Sequence, residues 1–287
     1  MLRKGDLTQG GITTTLLQFT LPMLAGSLLQ QCYNIADTLI VGQCIGANAL
    51  AAVGSAYTLM VFLISILLGL SMGSGTVFSL QYGAEDLSAL RRSIYVSFLL
   101  IGTVTILLNV AVFLWLDPIL RWLQVPYDVY PLMRNYLWII FWGIVFTFLY
   151  NFYAALLRAV GDSVTPLWFL AISVVLNIGL DLFLILVLDQ GIEGAAVATV
   201  IAQGTAASGI LLYTYKTRPE LRLHREDMCF DRSSLREITS FSTLTCVQQS
   251  VMNFGILMVQ GLVNSFGTVV MAAFAAAVKI DSFAYMP

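Results

Sequence analysis

Two acidic side chains stand in stretches that are otherwise apolar enough to lie in a bilayer. Asp37 follows Gln30 and Asn34 at steps of four and three within LPMLAGSLLQQCYNIADTLIVGQC, which places the three polar groups on one helical face. Ser173, Asn177 and Asp181 recur at steps of four within PLWFLAISVVLNIGLDLFLILVL, giving a second polar face that also ends in an acid. An ionised side chain near a bilayer centre costs about 2.5–3.5 kcal/mol on insertion scales, so these acids face a cavity or a bound cation rather than lipid. No Lys or Arg falls within the apolar segments 14–44, 51–81, 93–116, 166–188 or 194–215. Two carboxylates so placed either hold protons, because desolvation and mutual repulsion favour the neutral form, or share a hard cation such as Na⁺ with neighbouring oxygens. Asn177 and Thr199 supply such oxygens, and the residues alone leave both ions open. Each acid lies seven residues before the end of its segment, roughly 10 Å in depth, so the two can meet.

The elements that must position them are membrane helices. Apolar segments recur at about 14–44, 51–81, 93–116, 132–157, 166–188, 194–215 and 238–264, with an eighth beginning near 269. The chain is 59% hydrophobic and 10% charged, against about 25% charged residues in an average soluble domain, and is read as an all-α polytopic membrane protein. A net charge of −2 leaves no basic face for a nucleic acid. The N-terminus runs straight into a hydrophobic stretch too long for a signal-peptide core, so no cleaved leader is expected.

Eleven of the fourteen Lys and Arg, including Arg3, Lys4, Arg91, Arg92 and Arg158, fall in connections on the side of the N-terminus, and only Arg121 and Arg134 fall opposite. That asymmetry predicts a multi-pass protein of the plasma (inner) membrane with its N-terminus in the cytoplasm. The polar run 216–237 reads as a basic cytoplasmic linker between a six-helix lobe, 1–215, and the start of a second lobe, 238–287, holding helix seven and the beginning of helix eight. Gly46, Ala51 and Ala52 can be laid on Gly267, Ala272 and Ala273, the faint internal repeat from which many transporters are built. A repeat of this length predicts a protein of which this chain carries a truncated C-terminal lobe.

Segment seven carries a stripe of Gln249, Asn253, Gln260 and Asn264, which either lines a water-filled cavity opposite the first lobe or makes interhelical hydrogen bonds. Gly69, Ser71, Gly73 and Gly75 form small-xxx-small pairs that let a neighbouring helix approach closely. Cys32, Cys44, Cys229 and Cys246 have neither redox nor zinc spacing and read as small buried residues. The single histidine, His224, reads as a solvated loop residue, and neither a catalytic triad nor any other enzyme site is expected. Lys279 and Asp281 place opposite charges in segment eight, where they can pair locally.

The runs LPMLAGSLLQQCYNIADTLIVGQCIGANALAAVG, LLRAVGDSVTP, LNIGLDLFLI and AAAVKIDSFAYMP, in that order and spacing, resemble the multidrug and toxic compound extrusion (MATE) family of cation-coupled exporters. The resemblance covers the whole chain and about two-thirds of the family's twelve-helix plan. It implies two six-helix lobes arranged as a V about a pseudo-two-fold axis, exchanging an amphipathic, often cationic drug for Na⁺ or H⁺, with no further cofactor, in a monomer embedded in lipid. On the matching positions Asp37 and Asp181 become the cation-coupling carboxylates, Asn177 stands beside them, Thr199 offers a further oxygen and Asn151 falls where the family has a network asparagine. Na⁺, if it is the ion, is expected at Asp37, Asn177, Asp181 and Thr199. Tyr33 suits an aromatic contact to the drug, with Gln30, Asn34, Gln249 and Asn253 as further expected substrate contacts, and Pro22 allows helix one to bend. Without helices nine to twelve, the chain is not expected to transport by itself.

Two other readings compete. A lipid or lipid-linked oligosaccharide flippase of the same superfamily is expected to show several inward Arg or Lys for a pyrophosphate, which the first segments lack. An intramembrane aspartyl protease also uses two buried acids but carries the second in GxGD, whereas here the run is NIGLD.

Overall fold

The computed structural model describes residues 12–224, 226–228 and 231–284. Its elements are helices: α1 (Ile12–Cys44), α2 (Ala47–Gly83), α3 (Leu87–Trp122), α4 (Tyr130–Trp142), α5 (Ile144–Ala159), α6 (Val164–Leu182), α7 (Gly191–Thr217), α8 (Arg232–Asn264) and α9 (Thr268–Ala284). A single π-helical turn, Phe183–Val187, extends α6, and a 3₁₀ turn, Pro219–Leu221, follows α7. The chain is an all-α polytopic membrane protein. Five of these helices, and the α4–α5 pair taken together, are long and apolar enough to cross a bilayer among the described residues. Large apolar side chains such as Leu107, Leu114, Val175, Leu244 and Val251 cover the outside of the bundle, where an acyl-chain solvent makes them favourable.

The fourth apolar segment, expected as one span, is two helices bent by 48° at Gly143. A Cβ there would crowd the Ile140 carbonyl oxygen and Val200 Cγ2, both at 3.0 Å. Just before the break, the Asn109 amide donates to the Phe141 carbonyl at 2.6 Å, and a side chain entering the backbone ladder is an established cause of kinks. The run of apolar residues across the break concealed it.

Helix α2 is the spine, and α8 packs antiparallel along its whole length. At one end Thr58 Oγ1 donates to Gln260 Oε1 (3.1 Å), and Asn264 Nδ2 donates to Ser55 Oγ (3.0 Å) and to the Leu123 carbonyl (2.8 Å). At the other end Gly69 and Gly73 lie against the backbone of Cys246 and Ser242, and Ser242 Oγ donates to the Leu70 carbonyl at 3.2 Å. This half of the α8 stripe, Gln260 and Asn264, therefore makes interhelical bonds, the second of the two expected roles.

The two halves of the faint repeat meet the same backbone requirement. Gly46 precedes α2 with φ +118° and Gly267 precedes α9 with φ +89°, a region that L side chains avoid.

Connections α2–α3, α5–α6 and α7–α8 gather at the linker side of the bundle. Asp231 caps α8 by accepting from the Ser233 and Ser234 amides at 3.0 and 3.2 Å, and Asp227 pairs with Arg91 of α3 at 3.1 Å. Burial pushes the Asp227 carboxyl up, but the His224 amide, the Arg91 guanidinium and the His224 side chain outweigh it and hold the group below the usual carboxylate range. His224 is exposed, as expected, and pairs with that same carboxylate at 3.3 Å. Cys32 and Cys44, expected to be buried, are exposed on the outside of α1, because the polar face of α1 and not its apolar face turns inward. The side chains of Lys279 and Cys229, and residues 1–11 with Arg3 and Lys4, lie outside the described residues; Asp281 is exposed.

Candidate functional site

The site is assembled where α1, α6 and α7 cross. Asp181 is completely buried at the last turn of α6, immediately before the π-helical turn. Such turns inside α-helices are frequent at functional positions because they re-aim the residues on either side. One turn earlier, Asn177 is also buried (2% exposed). With its amide nitrogen facing the acid, Asn177 donates to Asp181 Oδ2 at 2.9 Å, and its oxygen accepts from the Thr199 amide at 3.2 Å with the Thr199 hydroxyl at 3.3 Å. Thr199 Oγ1 also lies 3.0 Å from the Ala195 carbonyl of its own helix, which fixes its rotamer. The Tyr33 hydroxyl shares a hydrogen bond with Thr199, and both acids lie within electrostatic reach of Tyr33. Asp37, half-buried on α1, interacts electrostatically with Asp181 and with Tyr136 of α4.

The other oxygen of Asp181, Oδ1, is buried and has no hydrogen-bond partner among the described residues. A carboxylate oxygen in that position is strongly destabilised as a bare anion. Protonation or coordination of a hard cation relieves it, and the surrounding donors are all oxygens and amides, which suits either. No cluster of three His, Cys, Asp or Glu side chains forms a metal site among the described residues.

Beneath this cluster runs a cavity of about 520 Å³. Gln30, Tyr33, Asn34, Asn151, Asn177 and Thr199 all line it, together with Ser173. Asn34 is held by donating to Gln31 Oε1 at 3.0 Å. Asn151 donates to the Thr147 carbonyl of its own helix at 2.8 Å, and Thr147 Oγ1 donates to Gln203 Oε1 at 2.8 Å. Asn151 thus belongs to a polar belt with Thr147 and Gln203 along the cavity wall. Gln249 and Asn253 do not line it: they lie on α8, where Asn253 is buried and donates to the Gln249 carbonyl at 2.8 Å.

Four lining or neighbouring residues escaped the sequence reading. Tyr57 and Tyr136 are lone polar tips on apolar helices, and a single residue shows no periodicity. Gln203 does carry a signal, standing four residues after Thr199 on α7. Arg158, counted above among the residues of a connection, is in the last turn of α5 and lines the cavity.

Comparison with known proteins follows this geometry. The MatE family model matches residues 22–183, a span that holds both acids and Asn177. The "Probable multidrug resistance protein YpnP" of Bacillus subtilis (strain 168) is 34% identical over 282 residues, covering 98% of this chain and 63% of that protein. The "Multidrug export protein MepA" of Staphylococcus aureus (strain NCTC 8325 / PS 47) is 27% identical over 276 residues, covering 93% and 59%. The chain therefore spans about three-fifths of the length of the curated relatives it matches. Among solved structures, the MATE multidrug transporter DinF-BH superposes with a TM-score of 0.90 at 24% identity, over 100% of this chain and 64% of that one. An outward-facing multidrug resistance MATE family transporter of the MOP superfamily superposes at 0.80 and 20% identity, over 100% and 70%. At these identities the structures show a common fold, and with the family match over more than half of its residues the chain belongs to the MatE family.

Proposed function

We propose that this chain supplies the coupling site of a cation-driven antiporter that exports amphipathic or cationic compounds across the plasma membrane, with Asp37 and Asp181 as the coupling carboxylates. The observation that carries the reading is Asp181 itself, buried with one oxygen unpartnered and with no Lys or Arg paired to it among the described residues, beside a cavity large enough for a drug-sized molecule. Names of the relatives point the same way, as multidrug resistance and export proteins.

The cycle follows from electrostatics. With both acids ionised the region attracts a cationic cargo, and the aromatic faces of Tyr33 and Tyr57 add favourable cation–π contact. Uptake of H⁺ or Na⁺ at Asp181 and Asp37 removes that attraction. Cation and cargo then oppose each other's binding, and this opposite-sign coupling is what exchange requires. Asn177 and Thr199 position Asp181, and either ion fits the carboxylate oxygen they leave free.

The test is dye-cation export by the full-length protein in proteoliposomes under an imposed Na⁺ gradient or an imposed pH gradient. Export driven by one gradient and lost in Asp37→Asn is the expected outcome, and it names the ion. Absence of export under both gradients, with lipid scrambling or flipping in its place, would transfer the reading to a lipid or lipid-linked oligosaccharide flippase. Arg158 is the observation in favour of that second reading, but it is a single cation where a pyrophosphate headgroup calls for several.

A further inference from the structure

The last turn of α5 carries a charge that the export cycle does not use. Arg158 is half-buried and lines the linker-side end of the cavity. Its natural partner by sequence is Asp162, four residues on in LLRAVGD. Asp162 is engaged elsewhere: it accepts from the Thr165 amide (3.0 Å) and hydroxyl (2.8 Å) and pairs with Arg218 at 3.3 Å. The acids at the other end of the cavity are out of reach. Thr147, bonded to Gln203 one turn from Thr199, is eleven residues before Arg158 on α5, about 16 Å along the helix. Among the described residues no carboxylate pairs with Arg158.

The surroundings match an anion at the end of an apolar body. Pro22, Met23, Leu68 and Leu167 form the nearby walls. Ser163, at the N-cap of α6, makes no capping hydrogen bond and also lines this end. The α6 N-terminus begins there, its first turn capped by the Asp162 carboxylate. A guanidinium offers a planar fork of donors that fits carboxylate or phosphate bidentately, and Arg158 presents that fork from the cavity wall.

We propose that Arg158, with Ser163 beside it, is an anion-binding subsite that takes the carboxylate or phosphate end of an amphipathic ligand whose apolar body lies along the cavity. The cavity is then bipolar, with the acids just beyond its Asn177–Thr199 end and a cation at the other, and it orients any cargo that carries both charges. The subsite shares the cavity of the export reading but does not depend on ion coupling.

The experiment is equilibrium binding of dansyl-labelled undecanoic acid and of its methyl ester to the purified protein in a neutral detergent, followed by dansyl fluorescence. The acid should bind about tenfold tighter than the ester, the scale of a charge-assisted hydrogen bond. Arg158→Gln should bring the two affinities together, and Arg158→Lys should keep part of the difference, because an ammonium supplies the charge without the fork. On the unmodified protein, added NaCl should weaken acid binding and leave ester binding unchanged, a readout that needs no variant to fold. Equal binding of acid and ester, or an undiminished preference in a folded Arg158→Gln protein, overturns the subsite. Repeating the assay in nanodiscs with and without phosphatidylglycerol separates the sources. Loss of probe binding only with that lipid identifies a lipid headgroup as the occupant, and unchanged binding identifies a soluble amphiphile. Because the assay reads equilibrium binding alone, failed export leaves this site standing, and equal binding leaves the export reading standing.

Discussion

At the scale of single residues, the way Asp181 is held sets the chemistry of the site. Asn177 bonds one carboxylate oxygen and reaches Thr199 with its own, while the second carboxylate oxygen has no hydrogen-bond partner among the described residues. Asp181→Asn and Asp37→Asn should each abolish gradient-driven dye export, by more than tenfold, while the thermal midpoint in detergent stays near that of the parent. Asn177→Ala should behave differently, since it strands a buried carboxylate oxygen of Asp181. A loss of about 1–3 kcal/mol in stability is expected, visible as a lowered midpoint, along with weakened coupling. The faces Gln30–Asn34–Asp37 and Ser173–Asn177–Asp181 were legible because a helix repeats nearly every four residues and both faces are otherwise apolar. Tyr136 was not, since one tyrosine on α4 carries no period, and Arg158 was not, since LLRAVGD reads as the start of a turn.

At the scale of elements, α2 is the helix on which the others are ordered. Its close contact with α8 was readable in the small-residue pairs at Gly69 and Gly73, though the partner was not, because a glycine states that something comes near and not what. Gly73→Leu should force α2 and α8 apart at the linker side, and cross-linking of cysteines placed at Leu70 and Ser242 should fall from efficient to negligible. Gly46→Ala and Gly267→Ala should each cost about 1–3 kcal/mol, the penalty of a positive-φ backbone that L residues avoid, and a loss of thermal stability at both would mark the two positions as equivalents of one repeat. The bend at Gly143 was hidden for a physical reason. Helix periodicity and hydropathy are continuous through it, and the Asn109 side chain that bonds the Phe141 carbonyl comes from another helix.

At the scale of the whole molecule, the linker is tied to the bundle by ion pairs. Arg91–Asp227 and Arg218–Asp162 join it to α3 and to the α5–α6 turn. The Asp227 carboxyl is held below its usual range in the folded state, so its contribution is present above the unfolded carboxylate value, near pH 4, and is lost as pH falls through the lower folded value. Hydrogen exchange in the 218–231 stretch, corrected for intrinsic rates, should rise below about pH 4, and Asp227→Asn should reproduce that rise at neutral pH. The bundle as a whole places two acids just beyond one end of a cavity and one arginine at the other, and in the proposed cycle cargo and coupling ion exclude one another at the acids. The most direct measurement adds a rhodamine-type dye cation to the purified protein, in weakly buffered or ²²Na⁺-equilibrated detergent solution, and counts the ions released. Release of H⁺ or Na⁺ in proportion to dye bound, absent in Asp181→Asn, is the predicted result; stoichiometric dye binding with release of neither ion would contradict the account.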